Sequence, residues 1–394
     1  SYVLRTRPHL DMRRAAECVA EEVGARLIFA DFPVRVETYA RLRASTADDW
    51  SRPQVRTQSP AKISVLDVRK SDKTQNERRH FSALQDSTYK AISEALTRRG
   101  HVVVFAARRG IAPLTVCNYC GTPVTDSLTD TPMVLHKTPR GNVFMSHRTG
   151  AVELAERSCV HCGGWNLVSL GLGVDRVHDE LEKRLPGTKI ILFTHDTAET
   201  HKAALRLIDT FYKTPSAILV GTERMLPYLA EPVDTTIVAS IDSVLSLSAW
   251  RAHEHALHVL YSLVHSAVRT CIIETRRPNA TVMKSIMSGT PMEFLRDELK
   301  ERHTYGYPPF KTFVGVRWSG TEVQCAKLRE SVVPLFRNFD VVGPLPPEQV
   351  ERNRYSERLV VRVERGAWPS DTLIEILKTL PPSVTITVDP DEIV

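Results

Sequence analysis

The sequence predicts an α/β protein built on a parallel sheet, interrupted by a cysteine-bearing insert and followed by a separate α+β domain. Three observations predict it. Short apolar runs alternate with helix-length amphipathic segments through most of the chain, the rhythm of βαβ units. Two Cys-x-x-Cys-Gly stretches, VCNYCG at 116–121 and SCVHCGG at 158–164, stand where that rhythm stops. From YGYPPF at 305–310 the texture changes to longer strands with Pro-rich turns.

Each element follows from its residues. LDMRRAAECVAEEV at 10–23 carries Leu10, Ala15, Val19 and Val23 at helical spacing and predicts a helix, with Cys18 on its apolar face as a core residue. GARLIFA at 24–30 reads as the strand that follows. Ser, Thr, Pro and Gln mark 44–62 as a loop. ISVLDV at 63–68 reads as a strand, and a helix is expected from Ser82, where Gln85 three residues on makes a capping box and Leu84, Ile92 and Leu96 form the apolar stripe. HVVVFA then reads as a buried parallel strand. Beyond the insert come helix 174–185, strand 190–193, helix 198–212, strand 217–220, strand 235–240, helix 250–264, strand 271–275 and a helical stretch over 280–303. The last ninety or so residues predict FVGVRW, RLVVRVE and VTITVDP as strands, with helices near 321–337 and 370–379.

With 394 residues, 42% hydrophobic and 25% charged, the chain has a globular composition, large enough for two or three domains. Its net charge of +6 favours polyanions. It contains no apolar run of about eighteen residues, so no membrane span is indicated. The start, SYVLRTRPHLDMRR, lacks an apolar h-region and reads as no signal peptide. Seven cysteines, an odd number, favour reduced thiols over a disulfide framework.

Cys-x-x-Cys spacing lets one turn present two sulfurs to a tetrahedral metal, and two such turns complete the set. Cys117, Cys120, Cys159 and Cys162 are therefore expected to hold one structural zinc ion. The Gly after each pair suits a turn that needs positive φ. Thirty-eight residues separate the pairs, so the intervening segment must be structured, and VLHKTPRGNVFMSHRTG reads as a hairpin turning at TPRGN. His161 lies inside the second turn as a spare ligand. Of the remaining cysteines, Cys271 and Cys325 read as core. His253, His255, His258 and His265 share one helix, but with no H-E-x-x-H, and with Trp250, Leu257 and Tyr261 among them, that helix reads as packed and not metal-binding.

The context of the pairs resembles the PriA family of bacterial replication restart proteins. RRGIAPLTVCNYCG resembles its R-R-G-Y-A-P-x-x-x-C-x-x-C-G segment, LGLGVDRVHDELEKRLPGTKI its G-x-G-x-E-R helix entry, and ILVGTERM its G-T-Q-M motif. YGYPPF, VVGPLPP and TVDP resemble its C-terminal Y-P-P-F, G-P-x-P and V-D-P, and SYVLRTRPHLDMR the stretch after its DEEH box. The resemblance covers nearly the whole chain in order. It implies a RecA-like second helicase lobe at 61–114 and 165–303, a zinc module at 115–164, a C-terminal domain at 304–394, and, at 1–60, the remnant of the end of a first lobe with its linker.

The departures are as informative. The family carries eight cysteines and two zinc ions; here only the outer pairs remain, implying one ion. No G-x-x-x-x-G-K-[ST] occurs, the GTK at 187–189 lying in a turn, and no D-E-x-H box is present. ADFPV keeps only Pro33 of the S-A-T-P-S element, LPYLAEP replaces the Lys-Gly after GTERM, and LVHSAVR stands in place of the arginine-finger motif, with Arg269 its one candidate remnant. No catalytic or nucleotide-binding residue is therefore assigned, and hydrolysis is not expected. The resemblance implies branched or single-stranded DNA, primosome and helicase-loading proteins and single-stranded DNA-binding protein as partners, in the cytoplasm with the nucleoid. Arg108, Arg109, Lys137, Arg140 and Arg148 are the candidate phosphate contacts. Two other readings stay open: an active 3′–5′ helicase whose first motor lobe lies outside this chain, and an unrelated zinc-ribbon interaction protein.

Overall fold

The computed structural model describes residues 11–49, 59–69, 82–106, 114–129, 131–138, 141–146, 151–155, 157–170, 173–239, 241–247, 249–345 and 347–390; for residues 137 and 138 it describes the backbone alone. Two helices come first, α1 (Met12–Glu22) and α2 (Val36–Arg43). Then β1 (Lys62–Asp67), α3 (Asp86–Thr97) and β2 (Val102–Phe105) make the first strand–helix–strand unit. The insert follows with β3 (Leu114–Cys117), β4 (Val134–Thr138), β5 (Gly141–Met145), β6 (Val152–Leu154) and β7 (Leu167–Leu170). The alternation resumes in α4 (Val174–Arg184), β8 (Ile190–Phe193), α5 (His201–Lys213), β9 (Ile218–Gly221), β10 (Val233–Val238), α6 (Asp242–Leu245), α7 (Ala252–Ser266), β11 (Ala267–Thr275), α8 (Thr281–Ser288) and α9 (Met292–Tyr305).

Strands β1, β11, β10, β2, β9 and β8 lie in that order in one sheet, and every pairing is parallel. Both faces are covered, which is why β2 (VVVF), β8 (IILF) and β9 (ILVG) are continuously apolar. Strand β2 shows the division: Val103 and Phe105 join a core under α5, α7, α8 and α9, and Val102 and Val104 join a second core under α3 and α4. This is the parallel α/β lobe that the periodicity predicts.

The C-terminal part contains β12 (Lys311–Gly320), α10 (Glu322–Val332), β13 (Asp340–Val342), β14 (Glu348–Glu351), β15 (Arg354–Glu364), α11 (Asp371–Lys378) and β16 (Thr385–Val388). Its sheet is antiparallel, in the order β13, β15, β12, β16, with β14 on β15. Val314, Val316 and Trp318 alternate along β12 into the core beneath α10 and α11.

Several local readings are corrected. GARLIFA forms no strand: Leu27, Ile28 and Phe29 are exposed, and a run of strand-forming residues becomes a strand only where a neighbour offers backbone partners. Cys18 is exposed, not core, because α1 buries none of its residues. Helix α3 starts at Asp86 with Gln85 as its N-cap, so Ser82 and Gln85 make no capping box. The Gln85 amide is already bonded to the Glu274 carboxylate at 2.8 Å, and the Ser82 hydroxyl is taken by Glu180. Trp250 precedes α7, and 280–303 is two helices, parted at Gly289, whose φ of +69° ends α8. Cys271 and Cys325 are buried as expected.

Candidate metal centre

Strands β3 and β7 pair antiparallel and bring the two cysteine turns side by side. The turns repeat one geometry. The Gly121 amide donates to the Cys117 carbonyl and the Gly163 amide to that of Cys159, both at 2.8 Å. The Cys117 amide donates to Thr122 at 2.9 Å and the Cys159 amide to Gly164 at 2.7 Å. Gly121 and Gly163 have φ of +71° and +70°, the left-handed region where a Cβ is strained, so both glycines are there for the reason their spacing suggested. The Asn118 amide, donating to Asn166 at 2.8 Å, ties one turn to the other.

The four sulfurs converge, all within 4.8 Å of one another. Cys117 and Cys162 are 3.5 Å apart and Cys120 and Cys159 3.6 Å, far too long for a disulfide. Four ligands about 2.3 Å from a tetrahedral zinc would stand about 3.8 Å apart, so the set fits such an ion. The Tyr119 amide donates to the Cys117 sulfur at 3.4 Å, which suits a thiolate. Burial pushes the Cys117 and Cys159 thiols up, whereas Cys120, which burial would also raise, is brought down to about 6 by its bonds with Thr122 and the neighbouring sulfurs. Four thiolates leave no open coordination position, so the centre can hold a metal structurally and offers no place for a substrate.

His161 is exposed and outside this group. The α7 histidines also stay apart from it: His255 pairs with Glu223 at 2.6 Å and His265 bonds the Tyr261 carbonyl at 2.7 Å. Arg108, Arg109, Arg140 and Arg148 lie outside the described residues, as does the side chain of Lys137. The hairpin expected between the cysteine pairs is present as β4 and β5, and β6 extends it to three strands.

Sequence reasoning missed the carboxylates gathered around the carboxyl ends of the lobe strands, where open α/β sheets bind ligands. Glu274, at the end of β11, accepts from the Gln85 amide at 2.8 Å and the Thr88 hydroxyl at 2.5 Å. Glu180 accepts from the Ala83 amide at 2.8 Å. The amino end of α3, where an anion would be attracted, is thus occupied by the chain's own carboxylates. Asp242 is buried beside them, accepting from the Thr275 hydroxyl and the Arg276 amide at 2.7 and 2.8 Å. The space among Gln85, Asp242, Glu274 and Arg276 is about 10 Å³, the size of one water. Arg269 lies on β11, where it pairs with Asp234 at 3.5 Å. Only the capping signal near Ser82 pointed toward this region.

A RecA-like parallel lobe split by a four-cysteine module and followed by an antiparallel α+β domain defines the class of this protein. Residues 303–391 match the family model of the primosomal protein N C-terminal domain. Among curated relatives, the replication restart protein PriA of Synechocystis sp. is 25% identical over 84% of this chain and 41% of its own length. That of Bacillus subtilis is 24% identical over 96% of this chain and 48% of its own. That of Thermotoga maritima is 22% identical over 99% and 52%. The chain is similar to these PriA proteins along most of its own length, and it spans about half of theirs. Among the described residues no helix is long and apolar enough to cross a membrane.

Proposed function

We propose that this chain is a replication restart factor that binds branched DNA and promotes primosome assembly as a scaffold, without helicase activity. One observation carries the reading: the likeness to proteins named for replication restart runs through lobe, cysteine module and C-terminal domain alike. In this reading the ion at Cys117, Cys120, Cys159 and Cys162 is zinc. Arg108, Arg109, Lys137, Arg140 and Arg148 meet phosphates, and helicase-loading proteins and single-stranded DNA-binding protein are the partners, at the nucleoid. Residues 1–60 are the end of a first lobe, 61–114 and 165–303 the second, 115–164 the module and 304–394 the C-terminal domain. The missing arginine-finger motif, whose position falls within this chain at LVHSAVR, supports a scaffold over a motor. So does the occupation of the α3 amino end by carboxylates, which repel a phosphate.

Titration of the chain against a labelled fork and a linear duplex of equal length, at two salt concentrations, tests this. A fork preference that weakens with salt, with no ATP hydrolysis, is the expected result. Equal weak binding to both overturns the DNA role. A second reading, an active helicase whose first motor lobe lies outside this chain, is favoured by the length comparison alone. ATP-dependent unwinding by the full natural protein would establish it in place of the scaffold.

A further inference from the structure

We propose that the cysteine module is a wedge whose closure around a metal ion holds the C-terminal domain against the parallel lobe. The module touches both. On the lobe side, the buried Arg276 guanidinium donates to the Gly121 carbonyl of the first cysteine turn at 3.3 Å. On the other side, Met145 at the end of β5 is buried in one cluster with Trp250 of the lobe and Tyr307, Phe313, Leu345 and Val360. All three parts contribute to this cluster, the module through Met145. Trp250 stands 6.0 Å from the Phe313 ring and 6.1 Å from that of Tyr307, and its indole donates to the Pro390 carbonyl at 2.8 Å. Beside it, His136 on β4 lies 4.0 Å from Glu348 on β14, so the module also faces an edge strand of the C-terminal sheet.

A continuous path joins the sulfurs to this junction. Cys117 ends β3; two residues earlier the Thr115 carbonyl accepts from the Val124 amide, and the Val124 carbonyl from the Met133 amide, both at 2.9 Å. Val124, Met133 and Phe144 then form the module's own core, and Phe144 precedes Met145. This core is small, and small domains need a metal or disulfide to hold their shape. Losing the ion frees four thiols whose bonds fold the turns, and the loosened β5 withdraws Met145 from the shared cluster. The wedge rests on metal loading of the centre, and it adds that loading governs contacts between domains.

Hydrogen–deuterium exchange tests it on three samples: the zinc-loaded chain, the same chain after chelation, and Met145→Ser loaded with zinc, each with its metal content measured. Segments 305–313 and 340–345 are expected to exchange about tenfold faster in the second and third samples, while 322–336, inside the C-terminal core, keeps its protection. Unchanged exchange at the junction on chelation, or in Met145→Ser with one zinc bound, overturns the wedge and leaves the centre standing. A chain that takes up no zinc overturns both. Should chelation also release 322–336, Met145→Ser, which keeps all four thiols, decides alone.

Discussion

Arg302 is fully buried, and its guanidinium reaches Glu298 at 3.0 Å, Glu254 at 2.9 Å and Glu37 at 3.2 Å, with its flat face 4.6 Å from the Trp250 ring. Burial alone would push Glu254 up; the Arg302 charge and the Val36 amide hold it below the usual carboxylate range. This one residue therefore ties α2, α7 and α9 together. Arg302→Ala strands buried carboxylates and is expected to cost about 3–5 kcal/mol, read by urea unfolding. A loss near zero would mean that water replaces the guanidinium. Asp340, in the C-terminal domain, gives a pH signature. Burial raises its carboxyl, but Lys311 at 2.8 Å and Arg362 outweigh that and leave it below its ordinary value. A lowered folded pKa adds stability above the unfolded value of about 3.9 that disappears as pH falls through the folded one. Thermal unfolding should therefore show wild type above Asp340→Asn at pH 7, with the gap closing once pH drops below about 4.

At the scale of elements, the cysteine turns are the most constrained. A Cβ at Gly163 meets no atom within 4 Å, but its φ of +70° strains any L side chain, whereas a Cβ at Gly164 would fall 2.4 Å from the Tyr119 ring. Gly163→Ala is expected to cost about 1–2 kcal/mol of turn stability and weaken zinc binding roughly five- to thirtyfold in a chelator competition. Unaltered affinity would show that the turn reshapes freely. Much of this centre was legible in advance, because two sulfurs on one turn are a local pattern and the glycine after each pair reports a local backbone angle. The same holds for the strands of the lobe, whose apolar runs are contiguous. The burial of the apolar face of α1 and the strand at 24–30 were misread for the complementary reason: the apolar patterns are genuine, but burial needs a partner surface, and the described residues supply none there.

For the whole molecule, what matters is how three parts meet. Trp250, Met145 and Phe313 come from lobe, module and C-terminal domain, separated by about sixty residues or more along the chain, and no periodicity links them. Arg302 and Glu37 are farther apart still, 265 residues in sequence. Binding of a fork would be a property at this scale, since neutralising several phosphates at once requires basic side chains held in one arrangement; the expected salt slope is about 0.9 per phosphate met.

The sequence by itself determined the parallel lobe, a separate α+β C-terminal domain and the grouping of four cysteines that could hold a metal ion, because hydrophobic period, turn chemistry and ligand spacing act over a few residues. Only the tertiary structure decided that Cys18 and the 24–30 segment stay outside the core, that carboxylates fill the amino end of α3, and that the cysteine module reaches both neighbouring domains. Those outcomes depend on which surfaces bury one another, and burial is a property of pairs of distant segments that no single stretch encodes.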